Sequence, residues 1–245
     1  MMLFKKLIKI FLTRFFSLFF HSKKSKVIFY HDIHSNEQYT DMSTSIKLFE
    51  RHIQIINQSG YEIVSRITKE YGQIEICFDD GFLGLYKNID FLKNKKVPIH
   101  LFIATSFLDR DKCINSQQLL ELSRLDLVRI SSHTHSHKIL NLLDENDMQK
   151  ELQCSKDILE ELLENPVDSI CFPEGKFNYK TISISKKIGY KKQYSSLPGC
   201  FCNKFQNKII KRSLVQFAGE KEFRSILEGG DAILGFWYRL KHFKR

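Results

Sequence analysis

The sequence is short of several things, and each shortage narrows what the chain can be. Its six cysteines include no C-x-x-C pair and no spacing that reads as a disulfide framework. A reducing cytoplasm fits that usage, and a cytoplasmic location is expected. No apolar run reaches the ~20 residues that a helix needs to cross a bilayer. The best candidate, 7–20, holds 14 residues and is interrupted by Arg14. No small-residue cleavage site follows Phe20, so a signal peptide is not expected. Tryptophan occurs once against 21 phenylalanines, which leaves burial to Phe, Ile and Leu.

Acidic residues are missing from both ends. Residues 1–26 hold seven basic residues and no acid, and 236–245 hold four more, again without an acid. The stretch between, 27–235, has 27 basic and 28 acidic residues, a net of −1 inside a chain of +10. A nucleic-acid binder is expected to spread its basic residues over a folded face, so nucleic acid is not an expected partner. Charge gathered at the termini points to an anionic membrane surface, at roughly 1 kcal/mol per basic residue near lipid. On a helix, Lys5, Lys6, Lys9, Thr13 and Ser17 share one polar face, and Phe4, Leu7, Ile8, Phe11, Phe15, Leu18 and Phe19 share the other. That is the pattern of a helix lying in the membrane interface, peripheral at the inner face. The alternative is a terminal helix that packs Phe11, Phe15 and Phe19 against its own body.

With 42% hydrophobic and 27% charged residues, the rest is a folded globular chain, and disordered, collagenous and low-complexity classes are excluded. Short apolar runs at 27–30, 74–78, 98–104, 127–131, 169–172, 190–195 and 209–215 alternate with helical patterns at 46–56, 85–94, 116–124, 144–163, 179–188 and 223–227. A last helix is expected at 232–240. Such alternation predicts an α/β fold with a parallel sheet, and about seven units in some 200 residues suit a distorted (β/α) barrel better than an open sheet. The expected organisation is a basic amphipathic segment at 1–26, one catalytic domain at 27–228 and a basic helix at 229–245.

Polar clusters follow the strands at once, where a barrel keeps its chemistry. Asp79-Asp80-Gly81 ends the second strand, and two adjacent carboxylates there need a cation or a proton between them. Ser131-Ser132-His133-Thr134-His135-Ser136-His137 ends another. His133 and His137 are four apart, so in a helical turn they share a face and can bind one metal, with His135 pointing elsewhere. Pro173-Glu174-Gly175 fixes a strand exit that can aim backbone N–H groups at an oxyanion. His31, at the end of the first strand, can act as acid or base or serve as a hydrogen-bonded structural residue. Cys200 and Cys202 are too few to make a metal site.

Together these segments resemble the polysaccharide deacetylases of the NodB-homology family. Phe78-Asp79-Asp80-Gly81 looks like its T-F-D-D-G motif with Cys77 in the threonine position, and His133-Thr134-His135-Ser136-His137 looks like its H-[ST]-x-x-[HD] motif. Phe172-Pro173-Glu174-Gly175 resembles its third motif, and Tyr30-His31-Asp32 resembles the opening segment of the circularly permuted branch that includes poly-N-acetylglucosamine deacetylases. The resemblance implies an incomplete, distorted (β/α) barrel. It also implies a divalent ion on Asp80, His133 and His137, Asp79 as general base, His31 as general acid, and the Glu174 N–H at the oxyanion. Arg212 is a candidate to orient Asp79. A family acid motif, L-x-H, has a literal match at Leu240-Lys241-His242, but it lies in the basic tail, and His31 is preferred. The family's D-x-x-D-W motif is absent from the sequence.

The function so implied is metal-dependent removal of an N-acetyl group from an amino sugar of a glycan or glycan precursor, lipid-linked forms included, in surface polysaccharide biosynthesis. One Asp and two His suit Zn²⁺, and Co²⁺, Ni²⁺, Mn²⁺ or Fe²⁺ also fit. The alternatives are an O-acetyl or N-formyl metallohydrolase on the same fold and a non-catalytic carbohydrate-binding relative.

Overall fold

Repeated strand–helix alternation dictates parallel pairing, because each helix returns the chain to the same end of the sheet. The computed structural model describes residues 2–19, 22–202, 204–205 and 208–243, with the side chains of 2–7, 9, 18, 19, 236 and 240–242 outside the described set. In chain order the elements are α1 (Met2–Phe19), β1 (Lys26–Tyr30), β2 (Asp32–His34), β3 (Ser43–Ser45), α2 (Ile46–Gln58), β4 (Glu62–Ile63), β5 (Gln73–Asp80), α3 (Leu83–Lys87), α4 (Ile89–Lys95), β6 (Ile99–Ile103), α5 (Ser116–Ser123), β7 (Val128–Ser132), α6 (Glu145–Leu163), β8 (Ser169–Cys171), α7 (Tyr179–Ile188), β9 (Lys192–Tyr194), β10 (Ile209–Ile210), β11 (Arg212–Leu214), α8 (Glu220–Leu227) and α9 (Gly235–His242).

The main sheet runs β10-β9-β8-β7-β6-β5-β1-β11, with β4 beside the start of β5, and every pairing is parallel. β10 and β11 are the two halves of one segment. The first half pairs with β9 and the second with β1, so the sheet curls until its two edges share a strand broken at Lys211. This is the incomplete barrel expected from the sequence.

All of β5 is buried, and its alternation builds two layers. Ile74, Ile76 and Phe78 face the helices, where they join Ile28, Tyr30, Phe49 and Leu152 in the larger core. Cys77 faces the barrel interior with Val27, Phe29, Phe102, Cys171 and Tyr194. Side chains cap the helices: Ser45 accepts from the Leu48 N–H at the start of α2, and Asn115 and Asn178 close capping boxes on α5 and α7.

Three elements depart from the sequence expectation. The 85–94 helix is two short helices that meet at Asn88. The 209–215 strand divides at Lys211, and 232–240 begins as a 3₁₀ turn, Gly230–Leu234, before α9. The two-stranded β2–β3 sheet and β4 were not anticipated.

α1 forms as expected but does not stand apart from the catalytic body. It packs on α8 and on the Gly230–Leu234 turn. Thr13 and Ser17, expected on the polar outer face, are the residues turned inward, at 1% and 4% exposure. Ile8, Phe11 and Phe15 are exposed, so two of the three phenylalanines of the alternative reading, Phe11 and Phe15, do not make the packing. The side chains of Phe4, Lys5, Lys6, Leu7, Lys9, Leu18 and Phe19, and all of Met1, Phe20 and His21, lie outside the described residues. Among the described residues no helix is long and apolar enough to cross a membrane.

Candidate metal centre and active site

The strand-end clusters meet at the C-terminal rim of the barrel. β5 leaves the sheet through two left-handed residues, Asp80 (φ +75°) and Gly81 (φ +93°), and a Cβ at Gly81 would stand 3.0 Å from Ile103. The left-handed turn at Asp80 interrupts the strand alternation, and both carboxylates come within 4.8 Å of a His133 nitrogen. Asp80 Oδ1 lies 3.5 Å from His133 Nε2 and 3.3 Å from His137 Nε2. The histidines converge as expected, but not through a helical turn. The segment after β7 is irregular, with Thr134 (φ +69°) and His137 (φ +58°) in left-handed conformations that bend it back on itself.

Outside contacts hold that bend. His133 donates its Nδ1–H to the Cys171 carbonyl (2.8 Å), which leaves the Nε2 lone pair facing Asp80. Glu151 of α6 accepts from the Ser136 N–H (2.8 Å) and hydroxyl (2.5 Å) and so clamps the segment between the two histidines. His135 pairs through Nδ1 with the Thr105 hydroxyl (2.9 Å), away from the ligand cluster.

The charge balance of the cluster asks for a cation. Burial lowers His133 to about 3 and lowers His137 as well, so both rings are neutral donors of lone pairs near pH 7. Burial pushes the Asp80 carboxyl up to about 6, and the neighbouring Asp79 charge adds to the rise. Asp80 Oδ1 is buried without a hydrogen-bond partner. The ligand atoms of Asp80, His133 and His137 all lie within 4.8 Å of one another. Two nitrogens and one oxygen, buried on Asp80 and His133 and half-buried on His137, with no Lys or Arg paired to them among the described residues, fit one divalent ion. Two other clusters do not pass the same test. Glu75, with Cys77 and His100, already receives Arg129 (2.7 Å) and His100 (2.9 Å), and the Asp79–His133–Cys171 group already contains a guanidinium.

That guanidinium is Arg212. Its Nη1 and Nη2 fork onto the two Asp79 oxygens, both at 2.7 Å, from a fully buried position between the Phe29 and Phe102 rings. Burial alone would raise Asp79, but the Arg212 charge, aided by His133, overrides it and holds the carboxyl at about 2. Asp79 is therefore ionised at any working pH. The pairing of β11 with β1 sets Arg212 in place through its register partner Val27.

His31 stands at the end of β1 with its Nδ1–H donated to Gln216 Oε1 (2.5 Å), and Gln216 is itself held by the Thr44 hydroxyl on its carbonyl (2.8 Å). This leaves His31 Nε2 for the site. Neither Gln216 nor Glu151 carried a signal in the sequence, since a single Gln or Glu after a strand or on a helix is ordinary. The side chain of the other acid candidate, His242, lies outside the described residues.

The Pro173–Gly175 segment is a 3₁₀ turn with Glu174 at φ +53° and Gly175 at φ +65°. A Cβ at Gly175 would lie 2.6 Å from the Ser196 backbone nitrogen, so only glycine lets the turn sit there. The Glu174 carboxylate pairs with Lys176 (2.6 Å), and its charge reaches His137, which places the turn on the rim of the Asp80–His133–His137 cluster.

The polysaccharide deacetylase family profile matches residues 66–192, more than half of the chain. The match includes Asp79, Asp80, His133, His137 and the Pro173–Gly175 turn; His31, Arg212 and Gln216 lie outside it. YxkH of Bacillus subtilis, named for polysaccharide deacetylase, is 25% identical over 187 residues, which cover 72% of this chain and 66% of that protein, just short of two-thirds of its length. Among solved structures, the Streptococcus pyogenes deacetylase PplD in complex with acetate superimposes with a TM-score of 0.70 at 18% identity, covering 82% of this chain and 96% of that one. The de-N-acetylase from Aggregatibacter actinomycetemcomitans gives 0.70 at 18% identity (83% and 99%), and IcaB from Ammonifex degensii gives 0.71 at 16% (86% and 98%). At such identities the likeness is one of fold.

Proposed function

The chain belongs to the polysaccharide deacetylase family, and we propose that it is a metal-dependent hydrolase that removes the N-acetyl group from an amino sugar of a surface glycan or its precursor. The observation that carries this reading is the division of labour at the end of β5. Asp80 faces two neutral histidines and, among the described residues, has no Lys or Arg paired to it, while Asp79, one residue away, is held ionised by Arg212.

A divalent ion on Asp80, His133 and His137, Zn²⁺ by the softness of the donor set, would acidify water and polarise the acetyl carbonyl. Asp79 accepts the proton of the attacking water, and Arg212 fixes its direction by occupying both oxygens from behind. The Glu174 N–H is assigned to the oxyanion. His31 passes a proton from Nε2 to the departing sugar amine while Gln216 holds the ring through Nδ1. Acetate and a free amine result. A carbohydrate-binding relative without turnover would have no use for a base and an acid placed apart from the ligands.

Acetate release is the test, measured on N-acetylated glucosamine oligomers beside O-acetylated and N-formylated sugars, before and after dipicolinate treatment. Release from the N-acetylated substrate that falls to background with the chelator and returns with Zn²⁺ supports the proposal. Equal release from metal-stripped protein rejects the metal. A preference for the O-acetyl or N-formyl sugar rejects the substrate class.

A further inference from the structure

Among its described side chains, helix α1 turns two small polar residues to the body and three large apolar ones to solvent, with Ile10, Leu12 and Phe16 half-buried between them. A surface helix normally turns large apolar residues to the core and polar ones to water. Here Thr13 and Ser17 face the body, whereas Phe11, Phe15 and Ile8 face outward at 67%, 46% and 39% exposure. The seat is close: a Cβ at Gly230 would stand 2.0 Å from the Thr13 carbonyl oxygen and 3.0 Å from Ser17 Cβ. The Thr13 hydroxyl is buried there without a hydrogen-bond partner among the described residues. Burying a lone hydroxyl and displaying three large apolar side chains is unfavourable on both counts. The arrangement makes energetic sense once something covers the outer face.

Position and charge say what covers it. The Ser22 N–H, just past α1, donates to the Glu228 carbonyl, just past α8 (3.1 Å), so the two packed helices run in the same direction. α1 has 18 residues and α8 has 8, so α1, at about 27 Å against about 12 Å, overshoots the start of α8. That start lies beside Gln216, the partner of His31. The outer face of α1 therefore runs to the catalytic end of the barrel. α9 packs on the same Gly230–Leu234 turn and carries Trp237, 72% exposed. Exposed cations, Arg14, Lys221 and Arg239, occur on all three helices, and the first 26 residues contain seven basic residues and no acid. A second copy of this chain would bring the same positive charge to the contact. An anionic bilayer brings the opposite charge and an apolar phase to match the phenylalanines.

We propose that the Ile8–Phe11–Phe15 face of α1, together with Trp237 of α9, docks on an anionic lipid surface, and that the Thr13–Ser17–Gly230 seat holds the catalytic end of the barrel beside the headgroups. The helix is a fixed foot and not a tether. Trp237 is the one tryptophan, so its emission reports the contact directly. The experiment uses the full chain with phosphatidylcholine vesicles, with and without phosphatidylglycerol. Expected are sedimentation with the anionic vesicles, partial release by high salt, and a blue shift of Trp237 emission. The Phe11→Ser/Phe15→Ser double variant should bind these vesicles about tenfold or more weakly. It should still hydrolyse a soluble acetylated sugar at the wild-type rate, a readout independent of the docking. Equal vesicle binding by the variant, or Trp237 emission unmoved at saturating lipid, would overturn the proposal. So would a lipid-free dimer in light scattering that the double variant breaks, since the face would then be a self-association surface.

Discussion

Asp79 and Asp80 are adjacent in sequence, yet the fold holds one carboxyl at about 2 and lifts the other to about 6. Both are buried, and the difference is Arg212. Lysine keeps the charge but not the fork, so Arg212→Lys should lower kcat about 100-fold while bound metal per chain stays unchanged, as checked by elemental analysis. Gln216 acts through His31. Gln216→Leu should reduce kcat by about 10–100-fold with KM and metal content near wild type, and Gln216→Asn should recover little because its shorter amide no longer reaches Nδ1. Two histidines away from the site set the acid limit of stability. His52 accepts a hydrogen bond from the Tyr30 hydroxyl on Nδ1, donates its Nε2–H to the Ala218 carbonyl (both 2.8 Å), and is lowered by burial to about 4. His100 is lowered by burial to about 3. A histidine whose folded value is depressed contributes stability that is whole above the unfolded value, near 6.5, and is lost as pH falls toward the folded one. Urea unfolding should therefore show a loss of about 2 kcal/mol for each group between pH 7 and pH 5. His52→Gln should show a smaller pH dependence over that window; an unchanged one would mean that His52 is not buried neutral.

Elements with a full period were readable from sequence, and those shaped by tertiary contact were not. α7 falls at 179–188 in both views because Asn178 starts it and Gly189, at φ +110°, stops it. β5 announces itself by an apolar run that ends in carboxylates. The three-residue β2 and β3 are too short to carry a period of two, and nothing local tells that 209–214 serves both edges of the sheet. His133 and His137 were legible as residue types but not as geometry, because spacing of four suggests a helix and cannot reveal two left-handed residues, Thr134 and His137, with Ser136 between them held by Glu151. Arg212 was legible as a candidate to orient Asp79, but not as a fork. Its fork on Asp79 depends on β11 pairing with β1, a contact 185 residues apart between Val27 and Arg212. The Pro173–Gly175 turn shows the same dependence. Its glycine meets the Ser196 backbone, so Gly175→Ala must push the turn off the rim. Acetate release should fall at least about tenfold, with zinc stoichiometry retained, because the displaced N–H is the one proposed for the oxyanion and is not among the proposed ligands.

At the scale of the whole molecule, the site is a junction of the barrel's ends. Its residues come from just after β1 (His31), from the end of β5 (Asp79, Asp80), from the segment after β7 (His133, His137), from the turn after β8, and from β11 (Arg212). A bound ion would tie β5 to the segment after β7, a segment held otherwise by Glu151 and by the His135–Thr105 contact. Metal that binds only the folded chain stabilises it by mass action, about 4 kcal/mol at a thousandfold excess over Kd. For a chain of 245 residues that corresponds to a Tm increase of about 10 °C. Chelation should remove the increment and Zn²⁺ should restore it, while His133→Ala should melt at one temperature with or without metal. Protons compete for the same groups. Because burial places the Asp80 carboxyl at about 6, the metal-dependent increment should be full at pH 8 and shrink as pH falls through 6. Scanning calorimetry across that range separates this from the histidine effect, since protonation of His52 and His100 lowers the stripped and the loaded protein alike. An increment that stays constant down to pH 5 would show that Asp80 is not a ligand.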